Sequence, residues 1–150
     1  MRSKIKDIKF AKDSASLIGE IKTVKGWVRT VRNQKKFSFV EINDGSTLSG
    51  LQVVIDSALS NYESLMEDIT TGTAISVTGT IVKSLGKEQS IEMQAKDLIV
   101  VGTCDADTYP LQKKRHSFEF LRSIAHLRPR TNSLGAVTRV RSALSFATHN

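Results

Sequence analysis

From Ile21 to Val101 the chain keeps returning to one pattern, apolar and polar residues in alternation, and breaks it once. In Leu48–Asp56, read as one strand, the residues Leu51, Val53 and Ile55 stand opposite Gln52, Val54 and Asp56. In Phe37–Asn43, Ser38, Val40 and Ile42 stand opposite Phe37, Phe39 and Glu41; in Ser90–Val101, Ile91, Met93 and Ala95 oppose Glu92 and Gln94. A period of two sends successive side chains to opposite faces of a strand, so each segment has one face for a core and one for solvent. Ile21–Arg32, rich in Val, Thr and Trp, and Ala74–Lys83 read as two further strands. The interruption is Ser57–Asp68. There Ala58, Leu59, Tyr62, Leu65, Met66 and Ile69 recur at steps of three and four, the stripe of a helix. Asn33-Gln34-Lys35-Lys36, Asn43-Asp44-Gly45-Ser46, Thr71-Gly72 and Leu85-Gly86-Lys87 supply the turns.

Three strands, a helix and two more strands is the order of the five-stranded OB-fold, a mainly β Greek-key barrel that binds oligonucleotides or oligosaccharides across its second and third strands. If the aliphatic sets fill the barrel, Phe37, Phe39, Gln52, Glu92 and Gln94 point outward. Two phenylalanines on a polar face beside basic strands make a platform for stacking bases. The competing reading buries them and shifts the alternation by one residue, because phenylalanine is more often buried than exposed. Ahead of the first strand the pattern is weak; Ile5 and Ile8 could face inward from a short helix.

Charge narrows the class of partner. The formal net charge is +7. Residues 1–110 hold 14 basic and 14 acidic side chains, whereas residues 111–150 hold eight basic ones against Glu119 alone. Within the neutral part, Ile21–Val40 carries Lys22, Lys25, Arg29, Arg32, Lys35 and Lys36 with no acid. Segregated positive charge fits a polyanion, most often nucleic acid, or else a solvated face kept soluble by lysines. Catalytic constellations are poor. His116, His126 and His149 lack metal-ligand spacing, and Cys104 is the single cysteine, which excludes an internal disulfide and fits a reducing cytoplasm. There is no phosphate loop and no dinucleotide fingerprint. No apolar run reaches the roughly 18 residues of a membrane helix, and the N-terminus does not resemble a secretory signal. The chain reads as a binding module without catalytic or metal-binding residues, and with neither a membrane nor DNA as partner.

Past Val101 the character changes. Gly102–Pro110 reads as a linker. Leu111–Arg130 is basic, with Phe118, Phe120, Leu121, Ile124 and Leu127 at helical spacings, and Arg128-Pro129 ends any helix there. Asn132 or Ser133 suits the cap of a new helix, along which Leu134, Val137, Val140, Leu144 and Ala147 form an apolar stripe.

Two stretches carry a family resemblance. Lys25-Gly26-Trp27-Val28-Arg29-Thr30-Val31-Arg32 with Phe37-Ser38-Phe39-Val40-Glu41-Ile42-Asn43-Asp44-Gly45-Ser46 resembles the anticodon-binding OB-fold of class II aminoacyl-tRNA synthetases of the aspartate, asparagine and lysine subclass. Tyr109–Arg122, continuing as Ile124-Ala125-His126-Leu127-Arg128-Pro129-Arg130-Thr131-Asn132, resembles the asparaginyl-tRNA synthetase family where its OB domain joins the catalytic domain. The likeness covers roughly residues 19–150. It implies that Phe39 stacks on an anticodon base, that Gln52 reads the central uridine, and that Arg32 and Glu92 lie at the same bases. Arg32 requires the first strand to keep its parity through Gly26–Arg32, where a bulge would change it. Arg29, Lys35, Lys36, Lys113, Lys114 and Arg115 are candidates for the RNA backbone.

The resemblance also sets an expected organisation: an anticodon-binding OB domain over 1–103, a hinge over 104–130, and the start of a catalytic domain over 131–150. That last segment is similar to the opening of motif 1, the dimer helix of the class, and would make Leu134, Val137, Val140 and Leu144 a dimer or domain-docking face. The family attaches asparagine to its tRNA using ATP and magnesium, as a homodimer. Its motifs 2 and 3 are absent from this chain, so the expectation is an inactive fragment that needs no cofactor. The rival is a free-standing OB-fold that binds single strands or tRNA without ligase activity.

Overall fold

The computed structural model describes residues 2–11, 14–84, 86, 89–112 and 114–149. Five strands, β1 (Ile21–Asn33), β2 (Phe37–Asn43), β3 (Leu51–Asp56), β4 (Ala74–Lys83) and β5 (Ile91–Gly102), close into a barrel in the order β1-β2-β3-β5-β4. All neighbours are antiparallel except β3 and β5, which run parallel and meet at Val53↔Met93 and Val54↔Gln94. A short helix, α1 (Ile5–Lys9), precedes the barrel, and α2 (Tyr62–Asp68) lies between β3 and β4. This is the OB-fold architecture that the element order predicts.

The alternation is right in phase. Val24 and Val28 of β1, Val40 and Ile42 of β2, Leu51, Val53 and Ile55 of β3, Ile75, Val77 and Ile81 of β4, and Met93 of β5 are buried in one core. Ile5 and Ile8 join it from α1. Ser38 is a polar residue buried to 0% exposure, as is Thr73; the Ser38 hydroxyl meets the Asn33 side chain at 3.0 Å and the Tyr62 hydroxyl at 2.6 Å. That pair of bonds ties α2 to the β1–β2 hairpin and removes the cost of a bare buried hydroxyl.

β1 and β5 depart from the sequence reading by single residues at their ends, and two boundaries depart by more, each for a polar reason. β3 begins at Leu51 and not at Leu48, because the Asn43 amide donates to the carbonyls of Thr47 and Leu48 and holds them in a loop. The expected helix over Ser57–Asp68 starts only at Tyr62. Asp56 accepts from the N–H of Ala58 to make a turn, and Asn61 sits at φ 62°, outside helical space. The expected turn residues Leu85 and Lys87 lie outside the described residues.

The chain forms two compact units, Met1–Lys113 and Lys114–Asn150. The segment Gly102–Pro110, read from the sequence as a linker and overlapping the expected hinge over 104–130, lies within the first unit and is held on it. The Thr70 hydroxyl donates to the carbonyl of Cys104 at 2.5 Å, and a Cβ at Gly72 would stand 2.7 Å from Cys104 Sγ and 3.2 Å from the Tyr109 ring. A chain ended at residue 113 is therefore expected to melt within a few degrees of the whole, whereas one ended at 103 loses these contacts. At roughly 4–8 °C per kcal/mol for a domain of this size, the shorter form should melt visibly lower. Equal melting of the two truncated forms by circular dichroism would show that the segment adds nothing to the barrel. In the second unit, α3 (Phe118–Ser123) is capped by the Ser117 hydroxyl, and Arg128–Arg130 makes one 3₁₀ turn before α4 (Asn132–His149). Among the described residues no helix is long and apolar enough to cross a membrane.

Candidate nucleic-acid interface

The outer face of the barrel over β1, β2, β3 and β5 gathers the residues that alternation assigns to it. A register shift between Val28 and Thr30 is the decisive local feature: β1 bulges there, and beyond it Arg32 pairs with Phe39 of β2. The bulge resets the parity of β1, so that Val28 faces the core and Arg32 still faces out. Phe39 is half-buried and forms a T-shaped pair with Phe37, 5.1 Å between centroids. Arg32 Cζ stands 5.5 Å from the centroid of the Phe39 ring, within cation–π range. Both phenylalanines lie outside the core, so the alternation runs in the outward-facing phase and not one residue out of it.

From Arg32 a hydrogen-bonded chain runs across the sheet. The guanidinium donates to Gln52 Oε1 at 3.2 Å, and Gln52 Nε2 donates to Glu92 Oε2 at 3.0 Å. The Ser84 hydroxyl (3.0 Å) and the Gln89 amide (3.3 Å) donate to the same Glu92 oxygen. The cation on one side and the carboxylate on the other allow only one orientation of the Gln52 amide. Each bond uses one of its two lone pairs and one of its two N–H groups. What remains is one acceptor and one donor side by side, able to meet an adjacent donor and acceptor on a base edge.

Arg32, Phe39 and Gln52 line a cleft of ≈ 270 Å³ whose other walls are Lys9, Thr30, Glu41, Ser49, Gly50 and Gln89. Most of these second walls escaped the sequence reading. Lys9 comes from α1, in the stretch with the weakest pattern, and its ammonium donates to Ser49 Oγ and to the Gly50 carbonyl, both at 2.9 Å. Burial lowers the pKa of that ammonium, and the Glu41 carboxylate restores it only in part. Glu41 is fixed in turn by the N–H of Gly50 at 3.1 Å, and a Cβ at residue 50 would overlap its Cγ at 2.6 Å. Gly50 is therefore a glycine because Glu41 lies where a side chain would stand.

The remaining candidates are more dispersed. Arg29 is half-buried on β1, and Lys35 and Lys36 are exposed in the β1–β2 turn. Lys114 and Arg115 are exposed residues of the second unit, and Lys113 lies outside the described residues. Val137, Val140 and Leu144 of α4 are exposed; Leu134 is half-buried. Among the described residues no group of three or more His, Cys, Asp or Glu side chains is placed to hold a metal ion.

Comparison with known proteins adds to this geometry. The model of the OB-fold nucleic acid binding domain matches residues 22–101. The chain is 59% identical over 150 residues to the asparagine–tRNA ligase of Protochlamydia amoebophila, covering 99% of this chain and 32% of that enzyme. It is 56% identical to that of Thermosynechococcus vestitus, covering 99% of this chain and 31% of the enzyme. The chain thus spans about a third of the length of the curated relatives it matches. The asparaginyl-tRNA synthetase of Entamoeba histolytica superposes with a TM-score of 0.72 at 27% identity, over 90% of this chain and 33% of that one. That of Pyrococcus horikoshii gives 0.79 at 21% identity over 99% of this chain and 34% of that one, a likeness of fold.

Proposed function

The chain belongs to the family of OB-fold nucleic acid binding domains, and from that premise we propose that it recognises the anticodon of a tRNA on behalf of an asparagine–tRNA ligase. One observation carries the reading: Phe39, Arg32, Gln52 and Glu92, on four different strands, form a single connected array on the outer face. An aromatic platform beside an oriented amide with a spare donor and acceptor is what reading an unstacked base requires. A base that stacks on the ring face under Arg32 displaces the guanidinium, and Glu92 then keeps the Gln52 amide in its orientation. The high identity to asparagine–tRNA ligases supports the choice of ligase.

In this reading the division of labour follows from chemistry. Gln52 reads the edge of the central base, while Arg29, Lys35, Lys36, Lys113, Lys114 and Arg115 supply phosphate contacts as point charges. The exposed apolar positions of α4 fit a docking face for other parts of the ligase or for a second subunit. ATP- and magnesium-dependent joining of asparagine to tRNA, the homodimer contact and a cytoplasmic location belong to the whole ligase. This chain alone binds RNA and does not aminoacylate.

The test is binding of an anticodon stem-loop by fluorescence anisotropy. Phe39→Ala is expected to weaken it by ~1–3 kcal/mol, the worth of one base stacked on an aromatic ring, with the melt unchanged. Gln52→Ala should flatten discrimination between uridine and cytidine at the central position. Lys35→Ala or Lys36→Ala should weaken all RNAs alike and lower the salt slope by ~0.7. A wild-type chain that binds every loop sequence equally is a generic single-strand binder, and the anticodon reading is then overturned.

A further inference from the structure

The cleft extends beyond Phe39 and Gln52 to a corner that the anticodon reading leaves without a role. There Lys9 of α1 and Glu41 of β2 face the same space, steadied by the loop residues Ser49 and Gly50. An ammonium has three hydrogens. Two of the Lys9 hydrogens are committed to Ser49 Oγ and the Gly50 carbonyl, so the third has a fixed direction and is not free to rotate. Glu41 is held from the same loop: the N–H of Gly50 donates to its Oε1, and the absence of a Cβ at residue 50 lets it lie close to the loop. The result is a rigid donor beside a rigid acceptor at the edge of an aromatic platform.

We propose that Lys9 and Glu41 form a second base subsite, selective for a base that presents a keto oxygen next to an imino N–H, namely guanine or uracil. The ammonium donates to the keto oxygen and the carboxylate accepts from the imino N–H. Adenine and cytosine present the reverse pattern, with an amino group facing the ammonium and a bare ring nitrogen facing the carboxylate. A phosphate is the poorer occupant. The neighbouring carboxylate repels it, and the half-buried, doubly bonded ammonium lacks the mobility of the exposed lysines Lys35 and Lys36. At ≈ 270 Å³ the cleft is close to the lower bound of roughly 300 Å³ for ligand sites, a size for bases and not for a duplex.

The inference rests on the anticodon reading, and one experiment separates the two. The full chain, Lys9→Met, Glu41→Gln and Gln52→Ala are each titrated with stem-loops whose loop bases are exchanged one at a time, at two salt concentrations. Lys9→Met and Glu41→Gln should each erase a preference of roughly tenfold for G or U over A or C at one loop position, distinct from the position that Gln52→Ala flattens. The salt slope should stay that of the parent. Uniform weakening by Lys9→Met with a slope lower by ~0.7 makes Lys9 a phosphate contact and overturns the subsite. So does unchanged binding, or loss at the Gln52 position only. Glu41→Gln leaves Lys9 in place, so it still reports on the subsite if Lys9→Met melts early. If the wild-type chain discriminates at no loop position, the anticodon reading fails first and the subsite with it.

Discussion

Gly79→Ala is expected to cost the barrel about 3 kcal/mol, the upper end of what overpacking a well-filled interior exacts. A Cβ at Gly79 would stand 2.3 Å from the carbonyl oxygen of Gln94 and 2.8 Å from Met93 Cγ. The first of these is backbone and cannot swing aside. The location makes the effect functional as well as structural. Met93 and Gln94 are the residues through which β5 meets β3, at the two-pair parallel seam that closes the barrel. Glu92, the next residue along β5, is the one that Gln52 reaches at 3.0 Å. Pushing Gln94 away from β4 therefore loosens the seam and the polar array together. Gly102→Ala is the control, since a Cβ there meets only the Cβ of Ala74 at 3.9 Å. Urea titration should show a large fall in midpoint for Gly79→Ala and almost none for Gly102→Ala; similar midpoints would mean that the β4–β5 contact yields easily.

How much of this was legible in the sequence depends on how local the cause is. β2 and β4 begin and end where their alternation says, because burial of one face fixes both register and extent. The outward placement of Phe39, Gln52 and Glu92 follows from the same period. Arg32 does not, since its side of the sheet depends on a bulge that pairing with β2 creates. The late starts of β3 and α2 come from side-chain bonds of Asn43 and Asp56 that no periodicity displays. The Lys9 corner was invisible. It needs a helix of five residues whose first N–H groups are satisfied by residues about 40 positions away, and a glycine whose purpose is another strand's glutamate. The spacing of Ile5 and Ile8 offered a short inward-facing helix, but nothing in it pointed to Lys9.

The same remote contact carries the second large effect. Asp44→Ala should cost about 3 kcal/mol, because it strips a covered carboxylate from several donors that then have no partner. The side chain is only 1% exposed. Its Oδ2 accepts from the N–H of Ile5 at 3.0 Å and lies 3.7 Å from the Arg2 guanidinium, while Oδ1 accepts from the Ser46 N–H and hydroxyl. The Ser46 hydroxyl oxygen accepts in turn from the N–H of Lys6. Lys4 offers α1 no side-chain cap of its own, so Asp44 and Ser46 cap it from the β2–β3 turn. Releasing α1 would uncover the barrel end that Ile5 and Ile8 fill, and would carry Lys9 out of the cleft. Burial pushes the Asp44 carboxyl up, but the Ser46 hydroxyl, the N–H groups of Ile5 and Ser46, and Arg2 outweigh it, leaving the pKa below its ordinary value of 3.8. The unfolded chain therefore takes up this proton at a higher pH than the folded one. The stabilisation is complete above that ordinary value and is lost as pH falls through the lower folded one. Asp44→Asn keeps the shape but turns an amide donor toward donors, so it should be destabilised at neutral pH and should lose less further stability on acidification than the parent. Parallel stability–pH curves for the two proteins below about pH 4 would show that the Asp44 carboxylate does not hold α1 to the barrel.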